Sequence, residues 1–295
     1  MKRKKLIVYT AIASGFAFGT VANAGISLTR HNLSTSGSWN YTTVGGKYTV
    51  GGTGGVDNGN NDNNDEICVF CHTPHGANAE PIGPLWNREF NNKLGAYTLY
   101  DSWTIDGNKP SNVGNTRIAG SMLCLSCHDG TQAIDTLINA PTWGSATGGS
   151  GGNGYKGGTA SDQGWAWTES KWMSSGVVGG ELAYIGTDLT NDHPVMIQYG
   201  GGGLTSSGGS LSDPDFFMPS TTVRASTTYW YFDTDSSGGM SGHDVKMYTY
   251  ANGGSGLLQP YVECYTCHDP HDAMHRPFLR ISNSDSSLCL TCHNK

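Results

Sequence analysis

Cys264-Tyr265-Thr266-Cys267-His268-Asp269-Pro270-His271 is the stretch from which the rest of the chain is read. Its first five residues, Cys-x-x-Cys-His, recur at Cys68 to His72, Cys124 to His128 and Cys289 to His293, and the four copies use all eight cysteines. Two thiols three positions apart, followed at once by an imidazole, are the signature of c-type haem attachment. Each thiol adds to one vinyl group on a haem edge, and the His in the same helical turn puts a ring nitrogen on the iron. The reading is four covalent haem c groups. Cys68, Cys71, Cys124, Cys127, Cys264, Cys267, Cys289 and Cys292 anchor them, and His72, His128, His268 and His293 are the proximal iron ligands.

Paired CxxC motifs also make zinc sites, and eight cysteines in an exported chain also make four disulfides. Neither alternative explains a His after every second Cys in a sequence with 10 His among 295 residues. Spacing counts against zinc as well, because 51, 135 and 20 residues separate successive motifs.

The motifs fall into two kinds. The first and third continue as His72-Thr73-Pro74-His75 and His268-Asp269-Pro270-His271, whereas the second and fourth read Leu-Cys-Leu-Ser/Thr-Cys-His. An A-B-A-B order is most simply a duplicated two-haem unit. The division predicted is a signal peptide over 1–24, a first dihaem unit over 25–143, a Gly/Ser-rich insertion over 144–180 and a second dihaem unit over 181–295. The mature chain is expected to form one continuous haem-cored domain.

Six histidines remain: His31, His75, His193, His243, His271 and His275. His75 and His271 hold matching places three positions beyond a proximal ligand. His31 and His193 each precede one dihaem unit. These four are the expected second axial ligands, and one short A-type segment can then serve two neighbouring irons. His243 and His275 have no counterpart and are read as surface residues. Methionine is the rival ligand type, with Met122, Met196, Met218 and Met274 near motifs or candidate ligands, but no Met occupies a repeating position.

Lys2 to Lys5 form a basic n-region, Leu6 to Phe18 a mostly apolar run too short to span a bilayer comfortably, and Ala22-Asn23-Ala24 a small-x-small cleavage pattern. No Cys lies near that point to take a lipid anchor. The expectation is export to the cell surface or exterior, with the periplasm as the alternative, and no membrane span. Loss of residues 1–24 leaves 13 Lys+Arg against 24 Asp+Glu, moving the net charge from −7 to −11. So acidic a chain offers no footprint for nucleic acid.

With 43 Gly and 36% hydrophobic residues, including Gly/Ser runs over 144–158, 200–209 and 236–242, the side chains alone bury little apolar surface. The fold class expected is therefore mostly irregular coil, with a few short helices at the haem motifs, short strands, and a core formed by the four bound haems. Glycine permits close approach of backbone to a flat ring, and 22 Tyr and Trp among 30 aromatics suit packing on porphyrin. Asn64-Asp65 and Ser284 to Ser287 read as caps of the turns leading into the first and fourth motifs. Tyr41 to Val50 and Val245 to Tyr250 read as strands.

Arg30-His31-Asn32-Leu33-Ser34, Cys68 to Gly76, Asp192-His193-Pro194-Val195, and Cys264 to His271 followed by Phe278-Leu279-Arg280 together resemble the exported multihaem c-type cytochromes of metal-reducing bacteria. The size, leader and four motifs are similar to tetrahaem members that polymerise into extracellular conducting filaments. The resemblance covers the motif regions and says nothing of the Gly-rich segments. It implies two histidines on every iron, a continuous haem chain, and a histidine donated across the subunit interface. His31, seventh in the mature chain, is the ligand expected there.

Two functions compete at this stage. Irons closed by two histidines pass electrons, to redox partner proteins or to extracellular metal, in a head-to-tail homopolymer or as a soluble shuttle. A reductase of nitrite, another oxyanion or a metal ion would instead need one iron with a free position and acid/base groups beside it. The lysine-ligated CxxCK variant of some nitrite reductases does not occur in the sequence. Electron carriage without catalytic residues is the expectation.

Overall fold

A computed structural model describes residues 25–29, 31–32, 67–78, 85–88, 97–102, 120–129, 138–139, 185–251 and 258–295. The leader expected over 1–24, the insertion expected over 144–180, the strand expected over Tyr41 to Val50 and the cap expected at Asn64-Asp65 lie outside these residues.

Helix in the described residues is short and mostly sits at or beside the motifs. Single 3-10 turns occur at Ile26–Leu28, Cys68–Phe70 and Ser284–Ser286. Helix α1 spans Ser121–His128, α2 is one turn at Tyr199–Gly202, α3 spans Cys264–Cys267 and α4 spans Ser287–Cys292. The turn α2 is held by Gly200 and Gly201 at φ 73°, a conformation costly for residues with a Cβ. Helix α3 is fixed at its start by reciprocal hydrogen bonds between Glu263 and Thr266, a capping box that satisfies two otherwise orphaned N–H groups. Among the described residues no helix is long and apolar enough to cross a membrane.

The strand content exceeds the expectation. Five antiparallel strands, β1 (Ile197–Gln198), β2 (Ser220–Arg224), β3 (Thr227–Phe232), β4 (Val245–Ala251) and β5 (Leu258–Val262), form one sheet in the order β1-β5-β4-β3-β2. Only β4 coincides with a strand read from sequence. β3, Thr-Thr-Tyr-Trp-Tyr-Phe, is all β-branched or aromatic and favours a pleated surface. Its register with β2 pairs Arg224 with Thr227, leaving Ala225 and Ser226 as a two-residue turn at φ 48° and 65°. Positive φ at both positions matches the twist of a hairpin but is usually supplied by Asn-Gly. Ala-Ser gives no such signal, so the hairpin was missed.

Two apolar clusters anchor the motifs to this frame. On the sheet, Tyr199, Leu204, Trp230, Met247 and Val262 pack together and Cys292 of the fourth motif rests against them. Val245 and Met247 alternate inward along β4 and are wholly buried, each worth about 1.5–3 kcal/mol of hydrophobic burial. Met122 and Leu125 of α1 pack with Leu189 and Met196 in the other cluster. The rival methionine ligands thus divide into core residues (Met122, Met196) and exposed ones (Met218, Met274).

Candidate haem sites

Each motif begins as a tight turn, because thiol, thiol and imidazole must face the same side within five residues. In the first, the Cys71 and His72 N–H groups both donate to Cys68 O, at 3.1 and 2.8 Å. The carbonyl of Val69 and the backbone of Asn139 are tied down by Asn87, which is fully buried. Its neighbour Arg88, equally buried, donates from Nη2 to Ser126 O at 2.9 Å and so fastens the first motif to the second.

The second and third motifs meet along α1 and α3. The Glu263 carboxylate accepts from Ser121 N at 2.9 Å and from Ser121 Oγ, and Cys264 N donates to Ser121 Oγ at 3.0 Å. A Cβ placed on Gly120 would lie 1.7 Å from Tyr265 Oη, so the two motifs touch at a point where only glycine fits. Arg280, almost wholly buried, braces the third motif by donating from Nε to Tyr265 O and from Nη1 to Gly242 O and Asp269. In the fourth motif Tyr199 Oη donates to Cys292 O at 3.0 Å, and Phe216 packs 4.6 Å from His293.

The histidines fall into pairs. Ring centroids are 6.1 Å apart for His31 and His128, 6.2 Å for His72 and His271, and 6.5 Å for His193 and His293. A metal–nitrogen bond of about 2 Å on each side, plus the ring's own half-width, sets two imidazoles on one ion roughly 6 Å apart. Interplanar angles of 15° and of 73–75° are both open to rings that share only an axis. The relation repeats across the duplication, since each upstream histidine faces the B-type motif of its own unit. His271 crosses to the A-type motif of the other unit, a pairing the sequence did not suggest. His31, expected as the ligand supplied by a neighbouring subunit, faces His128 of its own chain.

Hydrogen bonds orient these rings. Nδ1 of His31 lies 3.2 Å from Pro270 O, Nδ1 of His193 3.0 Å from Pro194 O and Nδ1 of His268 2.9 Å from Pro277 O. A carbonyl only accepts, so each Nδ1 carries the proton and Nε2 keeps its lone pair for a metal. Nδ1 of His271 lies 3.3 Å from the Asp269 carboxylate, with the same result. Burial, with His128 nearby, lowers the His31 pKa to about 4, so its ring stays neutral.

His268 differs. Among the described residues no second histidine ring faces it at this distance, and His75, which holds the place of His271 in the first A-type motif, is exposed, with its carbonyl bound by Asn139. His243 is exposed beside Asp272, and neither it nor His275 faces a motif histidine.

None of the eight cysteines is joined to another in a disulfide. Among the described residues the motif Cys and His side chains nowhere converge in threes, as tetrahedral zinc would require. The residues fit haem instead. The rings pair across a metal-sized gap, and beside His72 the buried Trp86 presents an indole N–H with no partner among the described residues, as does Trp230 in the cluster against which Cys292 rests. Such donors suit the carboxylates of a haem edge. The thiols also give the order of the sites. Burial and then Cys127 push the Cys71 thiol up to about 12, and burial and then Cys264 push Cys267 up to about 11, with Cys289 contributing. A hydrogen bond between Cys124 and Cys264 raises the former. Motif one therefore adjoins two, two adjoins three, and three adjoins four.

Outside the motifs, Asp233, Asp235 and Asp244 bring carboxylate oxygens within 4.8 Å of one another. Asp233-x-Asp235-x-Ser237-Gly238 with Asp244 at the twelfth position has the spacing of a calcium loop, a pattern the sequence reading passed over. The loop's own N–H groups bind these carboxylates, from Ser237 and Gly238 to Asp233 and from Thr234 and Ser241 to Asp244.

A family model described as a doubled CXXCH motif matches residues 260–295, which contain the third and fourth motifs. Comparison with curated proteins finds no match.

Proposed function

We propose, from a doubled CXXCH motif that fits a multihaem c-type cytochrome carrying covalent haem c, that this chain is an exported tetrahaem electron carrier and a subunit of an extracellular filament. The observation that carries the reading is the set of three histidine pairs at 6.1–6.5 Å, each joining a motif histidine to one from elsewhere in the chain. Bound haem supplies an iron that gains or loses one electron. The protein's part is to hold that iron still. Paired imidazoles would leave no position for a substrate, and the Nδ1 bonds of His31 and His193 to carbonyls and of His271 to Asp269 would fix ring orientation. Arg88, the Ser121–Glu263 contact and the Cys267–Cys289 neighbourhood keep successive sites in contact from the first motif to the fourth.

The filament follows from the fourth pair. Exposed His75 of one copy and His268 of another are the two halves of a pair that the single chain does not assemble. Repetition of that head-to-tail contact extends without closing. The same observation supports a second reading, in which His268 serves a reductase iron whose free position takes nitrite, another oxyanion or a metal ion. Carbon monoxide added to reduced protein separates the two. Monomer should bind one per chain and filaments, seen by electron microscopy, none; filaments that still bind one per chain and reduce nitrite would overturn the carrier reading.

A further inference from the structure

Glu263 is 1% exposed, deeper than any other acidic side chain in the described residues except Asp244. Its carboxylate accepts from Ser121 N, from Ser121 Oγ and, through the capping box, from the backbone of α3. Three donors gathered on Oε2 favour the ionised form, against the cost of burial and of Oε1, which makes no hydrogen bond among the described residues. The charge sits between two attachment cysteines. Cys264 follows it in the chain and is hydrogen-bonded to Cys124, and the negative field of Glu263 bears on both thiols. Among the described residues no carboxylate is placed this way beside the motif cysteines of the first or fourth site.

We infer that Glu263 is a positioning charge that holds the second and third haems at lower reduction potential than they would otherwise have. This rests on the haem reading above. Reduction brings one electron from the electrode to a ferric iron, and the charge of the site falls by one. A fixed carboxylate beside the site stabilises the ferric form and opposes that step. Because the charge is out of water, salt screens it weakly. The middle of the chain of sites is thereby set apart from its two ends, whichever way electrons run.

The test is spectroelectrochemical titration of the intact tetrahaem protein, with mass spectrometry first to count haems. Glu263→Gln keeps size and an acceptor oxygen but removes the charge. Two of four midpoints should rise and two should stay. Ser121→Ala removes one donor and leaves the charge less compensated, so the same two midpoints should fall. A purely structural role predicts no such opposite shifts. Four unchanged midpoints in Glu263→Gln with all haems present would overturn the inference, as would a uniform shift of all four. Should Glu263→Gln not accumulate, Ser121→Ala decides alone, and an unmoved or raised pair overturns it. Wild-type protein with fewer than four haems would sink the haem reading instead.

Discussion

Gly120→Ala should destabilise the fold although alanine suits its backbone. Gly120 lies at φ −57° and ψ −28°, within the helical region, so the change relieves backbone entropy by about 0.5–1 kcal/mol. The steric term is larger. The new Cβ would meet Tyr265 Oη at 1.7 Å and Tyr265 ring carbons at 2.1 and 2.2 Å, while ordinary contact begins at 3.4 Å. The ring must retreat by about 1.7 Å, the difference between those figures. It has little room to do so, because Tyr248 packs edge-on at 3.9 Å and Arg280 holds the Tyr265 carbonyl. Overpacking of this kind costs about 1–3 kcal/mol, leaving a net loss of about 1 kcal/mol at the centre of both ranges, or roughly a fivefold change in the folding equilibrium. Guanidinium denaturation of the haem-loaded protein, followed by circular dichroism, measures it. Tyr265→Ala opens the space, so the double variant should be more stable than the sum of the single effects predicts. Strict additivity, or a Gly120→Ala protein as stable as the parent, would refute the contact between the second and third motifs.

Replacing both Cys124 and Cys127 by Ala should lower the mass by one haem beyond the side-chain change, read by intact-protein mass spectrometry. His31→Ala, His193→Ala and His271→Ala should each keep four haems yet add one high-spin iron by electron paramagnetic resonance, whereas His243→Ala should add none. Met247→Ala, at a wholly buried position on β4, should cost about 2–5 kcal/mol in the same denaturation assay. Prolonged dialysis against EDTA should leave the visible spectrum unaltered, since a thioether-bound macrocycle is not chelated away; a colourless protein that gives up zinc to EDTA would return the motifs to zinc.

The motifs were legible because their chemistry is local, with every atom needed lying within five residues. The candidate second ligands were chosen by position only. Matching places in a duplicated pattern singled out His31, His75, His193 and His271, but nothing in the spacing said that His271 would face His72 rather than a nearer motif. That is a property of how distant segments pack. The sheet was half hidden for a different reason. Tyr229, Trp230 and Tyr231 were assigned to porphyrin packing by type, and the Ala225-Ser226 turn carries none of the usual Gly or Asn. Buried polar ties such as Arg88 to Ser126 and Glu263 to Ser121 leave no trace in sequence, because each joins residues more than thirty positions apart.

The three histidine pairs have one more consequence, which concerns division of the chain. Their spans, 31 to 128, 72 to 271 and 193 to 293, interleave, so a cut anywhere between residues 31 and 293 severs at least one. With iron between the rings, each pair is a clasp, and the clasps overlap like links in mail. Neither half of the sequence, expressed alone, would satisfy its own irons: the first lacks His271 for His72, and the second would carry His271 with nothing to hold. A protease nick in an exposed loop would leave the two pieces coordinated to one another.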